Sequence, residues 1–264
     1  MRVVLVILIA LALPVTAQAA SQDVTITVSA ASDLRLAFGE IGEAFEEESG
    51  IGVDFNFGST GQLAQQIEAG APVDVFAAAN VSYIEDLAEE DLIIADTQAM
   101  YARGQIVLWT PGTSDLQIDS IERLADDDIR RIAIANPEHA PYGAAAKDAL
   151  ESAGIWDDVQ DKLVLGENIS DTLRYGETGN VDVAIVALSL AIPSDGTWTV
   201  VPQELYTPIE QAMAVVAGAE HEEEARAFVG FVNSERGREI MRDYGFLLPG
   251  EDTATATPAA SPAS

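Results

Sequence analysis

The chain has no cysteine among its 264 residues. That excludes disulfides, thiolate nucleophiles, Cys-ligated zinc and lipid attachment through an N-terminal cysteine. Its two histidines, His139 and His221, are too few for a His-rich metal centre. Lysine is almost missing as well: Lys147 and Lys162 stand alone, and 13 basic residues face 44 acidic ones for a formal net charge of −31. A surface of that sign repels nucleic acid and anionic lipid. Long apolar runs are also scarce. Residues 3–13 are apolar, but eleven residues do not span a bilayer. With Met1-Arg2 before that run, and Pro14 and Ala17-Gln18-Ala19-Ala20 after it, residues 1–20 read as a secretory signal peptide. The mature protein is therefore expected in the periplasm or another extracytoplasmic space, with no cysteine for a lipid anchor.

The acidic clusters Glu46-Glu47-Glu48, Asp126-Asp127-Asp128 and Glu222-Glu223-Glu224 lack the alternating oxygens and glycine of a calcium loop, so they read as solvated helix faces. The acidic excess fits adaptation to high salt, where screening removes self-repulsion. Residues 251–264 are mostly Ala, Thr, Pro and Ser. They have too little apolar surface to offset their ordering entropy and are expected to be disordered.

Between these ends, apolar alternation predicts strands at residues 24–30 and 51–57, and apolar runs predict buried strands at 73–79, 106–109 and 131–135. Further strands are expected at 163–165, 181–186, 197–201 and 211–216. Helical spacing follows Ser32, runs from about Gly61, and recurs at 81–90, 120–124, 144–152, 170–175 and 225–244, the last interrupted near Asn233-Ser234. Strands alternating with helices argue for an α/β protein with mainly parallel pairing.

Four strand-to-helix junctions stand out: Ala30-Ala31-Ser32, Gly58-Ser59-Thr60-Gly61, Pro141-Tyr142-Gly143 and Asn168-Ile169-Ser170. Each offers a hydroxyl and the unpaired backbone N–H groups of a helix start, where the helix dipole favours an anion. In open α/β sheets ligands bind outside the carboxyl ends of strands, which is where these junctions lie.

On these residues the chain resembles the molybdate-binding proteins of bacterial ABC importers. The resemblance rests on Ala30-Ala31-Ser32-Asp33-Leu34, on the long motif from Gly58 through Gln62-Leu63-Ala64-Gln65-Gln66-Ile67-Glu68 to Ala71-Pro72, on Asn136-Pro137-Glu138-His139-Ala140-Pro141-Tyr142-Gly143, and on Tyr244-Gly245-Phe246. It covers about residues 24–248. It implies a two-lobed periplasmic-binding-protein fold of type II, with each lobe a mainly parallel sheet flanked by helices and the ligand in the cleft. Lobe 1 would comprise residues 21–105 and a return segment at 211–250, with lobe 2 at 106–210. It further implies an extracytoplasmic, monomeric receptor that is not an enzyme, needs no cofactor and delivers molybdate or tungstate to a membrane permease. The oxyanion would be held by Ser32, Thr60 with Ser59 beside it, Tyr142 and the backbone of Ile169, with no protein ligand on the metal itself. One departure is Ala187, at a position where some relatives carry a ligand-binding tyrosine; Tyr142 would supply the hydroxyl instead.

Molybdate and tungstate are fully ionised near neutral pH and only accept hydrogen bonds, so neutral donors match them without a paired cation. A donor-only pocket would reject protonated phosphate, whose own hydrogen needs an acceptor. Asp33 and Asp171 are read as first-turn acids complementing the helix dipole, and Arg35 and Arg174 as surface partners of acids. Three other functions remain open from the residues: a receptor for sulfate or another tetrahedral oxyanion, a hydrolase using Ser59 or Ser32, and a sensory binding module. No G-x-S-x-G elbow supports the hydrolase.

Overall fold

A computed structural model describes residues 24–250. The expected signal peptide (1–20) and the tail (251–264) lie outside the described residues.

The chain begins with β1 (Thr25–Ala31), α1 (Arg35–Ser49) reached through a short 3-10 turn at Ser32–Leu34, β2 (Gly52–Gly58), α2 (Thr60–Glu68), β3 (Val75–Ala78), α3 (Val81–Glu89) and β4 (Ala99–Gly104). It then crosses to β5 (Ile106–Pro111), β6 (Ile132–Ala135), α4 (Pro141–Ser152), α5 (Trp156–Val159), β7 (Leu163–Gly166), α6 (Ile169–Glu177), β8 (Val183–Ala187), α7 (Leu188–Ala191) and β9 (Gly196–Val200). It returns through β10 (Ile209–Val215) and ends with α8 (Glu222–Val232) and α9 (Glu235–Asp243).

Two five-stranded sheets result, ordered β2-β1-β3-β10-β4 and β7-β6-β8-β5-β9. In each, the first three strands are parallel neighbours, the fourth is antiparallel, and the fifth restores the original direction. The two lobes thus repeat one topology although no sequence repeat joins them. The chain passes between the sheets after β4 and after β9, and β10 starts two residues before the boundary expected at 211.

The central strands β3, β6 and β8 are buried along their whole length. Covered on both faces, they read as continuous apolar runs rather than alternating ones. Under the first sheet, Phe38 and Phe45 of α1 pack edge-on against Phe228 of α8 at 5.9 and 5.4 Å between ring centroids. In the second sheet Trp109 is buried and its indole N–H donates to Ser194 Oγ at 2.8 Å. Both lysines have structural tasks: Lys162 Nζ donates to the carbonyls of Leu124, Ala125 and Asp126, and Lys147 lies 5.5 Å from the Trp156 ring centre.

The structure departs from the sequence reading at several places. α4 starts at Pro141 rather than 144, because proline at the first helical position gives up only an N–H that would have no partner there. The final helix breaks where expected, at Asn233-Ser234, and the Ser234 side chain accepts from Gly237 N–H to cap the second half. β4, α5 and α7 were not anticipated. β4, Ala-Met-Tyr-Ala-Arg-Gly, holds no β-branched residue and is a strand through pairing with β10. Of the acidic clusters, Asp126 and Asp128 both bind Arg123, and Glu222, Glu223 and Glu224 occupy the first turn of α8.

Candidate oxyanion site

The four junctions come from equivalent places in the two sheets. Ser32 follows β1 and Ser59-Thr60 follow β2; the Asn136 loop follows β6 and Asn168-Ile169 follow β7. These strands are the first two of each sheet, so the helix starts of one lobe face those of the other across the cleft.

They surround a small pocket lined by Ala31, Ser32, Asp33, Gly58, Ser59, Thr60, Ala79, Ala140, Pro141, Tyr142 and Ile169. All five residues proposed from the sequence, Ser32, Ser59, Thr60, Tyr142 and Ile169, are in that lining. No lysine, arginine or histidine is. All five are buried, so a guest held among them would be out of contact with bulk water, where dipolar contacts are strongest.

The hydroxyls are not equivalent. Thr60 Oγ1 accepts the Ala79 N–H at 3.1 Å, which orients it and leaves its own proton to give. Ser32 Oγ accepts the Ser170 N–H at 3.5 Å and likewise keeps a proton. Ser59 is engaged elsewhere: its Oγ lies 2.8 Å from His139 Nδ1 and donates to the His139 carbonyl. The Gly61 N–H donates to that same carbonyl at 2.9 Å, and a Cβ on Gly61 would stand 2.9 Å from it, so only glycine allows this approach. His139 is therefore a clasp between the Asn136 loop and the start of α2.

Backbone donors complete the lining. The first N–H groups of a helix have no intrahelical acceptor, and Ile169 is the first residue of α6, whose cap Asn168 takes the Asp171 N–H on its side-chain oxygen at 3.0 Å. Ser170 Oγ donates to the Ser32 carbonyl at 2.9 Å, tying α6 to the end of β1. Ala187 is buried at the end of β8 and caps α7 with no side-chain hydrogen bond.

Tyr142 and Asp33 differ from the reading of the sequence. The Tyr142 hydroxyl donates to Asp33 Oδ2 at 2.9 Å and accepts from Gln211 Nε2 at 3.0 Å, so its proton goes to a carboxylate and not into the cavity. Gln211 also donates to Asp33 Oδ2, at 2.7 Å. Asp33 is not a solvated acid at a helix start. It is 1% exposed, its backbone carbonyl accepts from Ser189 Oγ at 2.8 Å, and burial pushes its carboxyl up to about 6, against the lowering pull of Gln211 and Tyr142. The same burial, with the Asp33 charge beside it, holds the Tyr142 phenol well above its ordinary range. Asp171 behaves as expected, in the first turn of α6 and paired with Arg174 at 2.9 Å. Gln211 was missed because a single glutamine in an apolar strand has no signal until β10 places it under the cleft.

A family model described as bacterial extracellular solute-binding protein matches residues 26–247. The chain is 35% identical over 210 residues to the molybdate-binding protein ModA of Rhodobacter capsulatus, covering 79% of this chain and 82% of that one. It is 34% identical over 236 residues to the molybdate-binding protein ModA of Azotobacter vinelandii, covering 87% and 92%. The fold matches the solved periplasmic molybdate-binding protein of Azotobacter vinelandii with a TM-score of 0.81 at 26% identity, over 85% of this chain and 99% of that one.

Proposed function

This chain belongs to the bacterial extracellular solute-binding proteins, and from that premise we propose that it captures molybdate or tungstate outside the cytoplasm and delivers it to the permease of an ABC importer. It is a binding protein and not an enzyme. The Ser59–His139 contact has the length of a nucleophile–base pair, yet Ser59 gives its proton to the His139 carbonyl.

The observation that carries the reading is the lining of the cavity: hydroxyls and helix-start amides beside the one Asp33 carboxyl, with no basic side chain. A dianion that only accepts hydrogen bonds is matched by such a set. The ModA relatives share that ligand in their names, which supports the same choice here. Within the set, Thr60 and Ser32 are the hydroxyl donors, Ile169 gives a backbone N–H, and Ser59 and Tyr142 shape the wall. The protein acts as a monomer, with closure of the lobes removing water around the anion.

Calorimetric titration with molybdate, tungstate, sulfate and phosphate tests this. One-to-one binding of the first two alone is the expected result. Binding of sulfate or phosphate in their place would keep the fold and overturn the ligand.

A further inference from the structure

A buried carboxyl group stands in the wall of an anion site, and the donor set described above does not use it. Asp33 lines the cavity next to Ser32. Its Oδ2 is saturated by Tyr142 and Gln211, whereas its Oδ1 is sealed from solvent and has no hydrogen-bond partner among the described residues. The elements packed around it contribute Tyr142 from α4, Gln211 from β10, Tyr101 from β4 and Ser189 from α7, with Tyr206 behind Tyr142. These are phenols, an amide and a hydroxyl; no cation lowers the carboxyl. Arg35, the basic group closest along the chain, is exposed, and His139 is turned to Ser59.

An ionised carboxylate and a dianion cannot share a buried pocket without a cation between them, because each raises the proton affinity of the other. A neutral acid removes the conflict. With Oδ2 accepting two hydrogen bonds as the carbonyl oxygen, the proton belongs on the unpartnered Oδ1, which becomes one more neutral donor. We propose that capture of the oxyanion takes up one proton from solvent, held on Asp33 Oδ1, so that the pocket gains one negative charge rather than two. This rests on the oxyanion-receptor reading and deepens it: Asp33 makes affinity depend on pH, and the chain would bind its ligand more tightly in acidic surroundings. In the empty protein burial lifts the carboxyl only to about 6, so near neutrality and above the proton must come from water.

The test is calorimetry with molybdate at pH 7.5 in two buffers of different ionisation enthalpy, repeated from pH 6.5 to 8.5. Molybdate itself is fully ionised there, so protons counted are taken up by the protein. The expected result is about one proton per anion, with affinity falling about tenfold per pH unit. Asp33→Asn keeps an acceptor for Tyr142 and Gln211 and should bind with no proton uptake and a flat profile. Tight binding by the unaltered protein without proton uptake overturns the proposal and leaves the receptor reading standing. No binding of molybdate at any pH overturns both. Because the proton count on the unaltered protein decides the matter, poor folding of the variant would not shield it.

Discussion

The Tyr142 hydroxyl occupies the space that a Cβ on Gly104 would need, and the Gln211 amide closes the same space from β10. The last residue of a lobe 1 strand is thus matched to a side chain from lobe 2, at the point where the chain first crosses between them. Gly104→Ala should push the phenol off Asp33 and destabilise the folded protein by about 1–3 kcal/mol, the usual cost of overpacking. Urea unfolding of this variant and of Gly104→Ala with Tyr142→Phe checks it. The double variant should recover part of the loss, since the hydroxyl is the atom in closest conflict.

Thr60→Ala and Ser32→Ala should each lower oxyanion affinity by roughly 1–3 kcal/mol through the lost donor. Thr60→Ser should lose little, because it keeps the hydroxyl that Ala79 orients. Ser59→Ala should cost less than Thr60→Ala, its hydroxyl being spent on His139. Equal affinities for all four variants would mean that the anion sits elsewhere.

Asp33 should also make the empty protein less stable as pH rises. Its folded value of about 6 lies above the unfolded 3.8. Between those values the folded chain holds a proton that the unfolded chain has released, so unfolding free energy falls with increasing pH and levels off above about 6. The lost stability is about 3 kcal/mol at neutral pH, to order of magnitude. Asp33→Asn should therefore raise the urea midpoint at pH 7.5 and change it little near pH 4. A variant equally or less stable at pH 7.5 would contradict this.

With a net charge of −31, the protein repels its own ligand at long range. Salt screens that repulsion within about 3 Å at 1 M, against about 30 Å at 0.01 M. The association rate of a dianion should rise with ionic strength over that span, by about tenfold or more. Stopped-flow mixing measures it, and a rate that falls with salt would point to a local steering patch such as Arg35.

Much of this protein is readable from its residues alone. The apolar runs 73–79, 131–135 and 181–186 announce buried strands, because a strand covered on both faces has no polar face to alternate with. The helix starts at Ser32, Thr60 and Ile169 announce donors, because a helix end leaves N–H groups unpaired whatever the rest of the chain does. Those are local facts, and the sequence determines them. Which hydroxyl is free to give its proton is not local. Ser59 and Thr60 are neighbours with the same chemistry, and only the fold turns one to His139 and the other to Ala79. Asp33 read as an ordinary first-turn acid for the same reason: its burial comes from Tyr142 and Gln211, 109 and 178 residues away along the chain. Desolvation and pairing across the cleft are properties of the assembled lobes, so the helix starts were legible in the sequence and the charge state of the pocket was not.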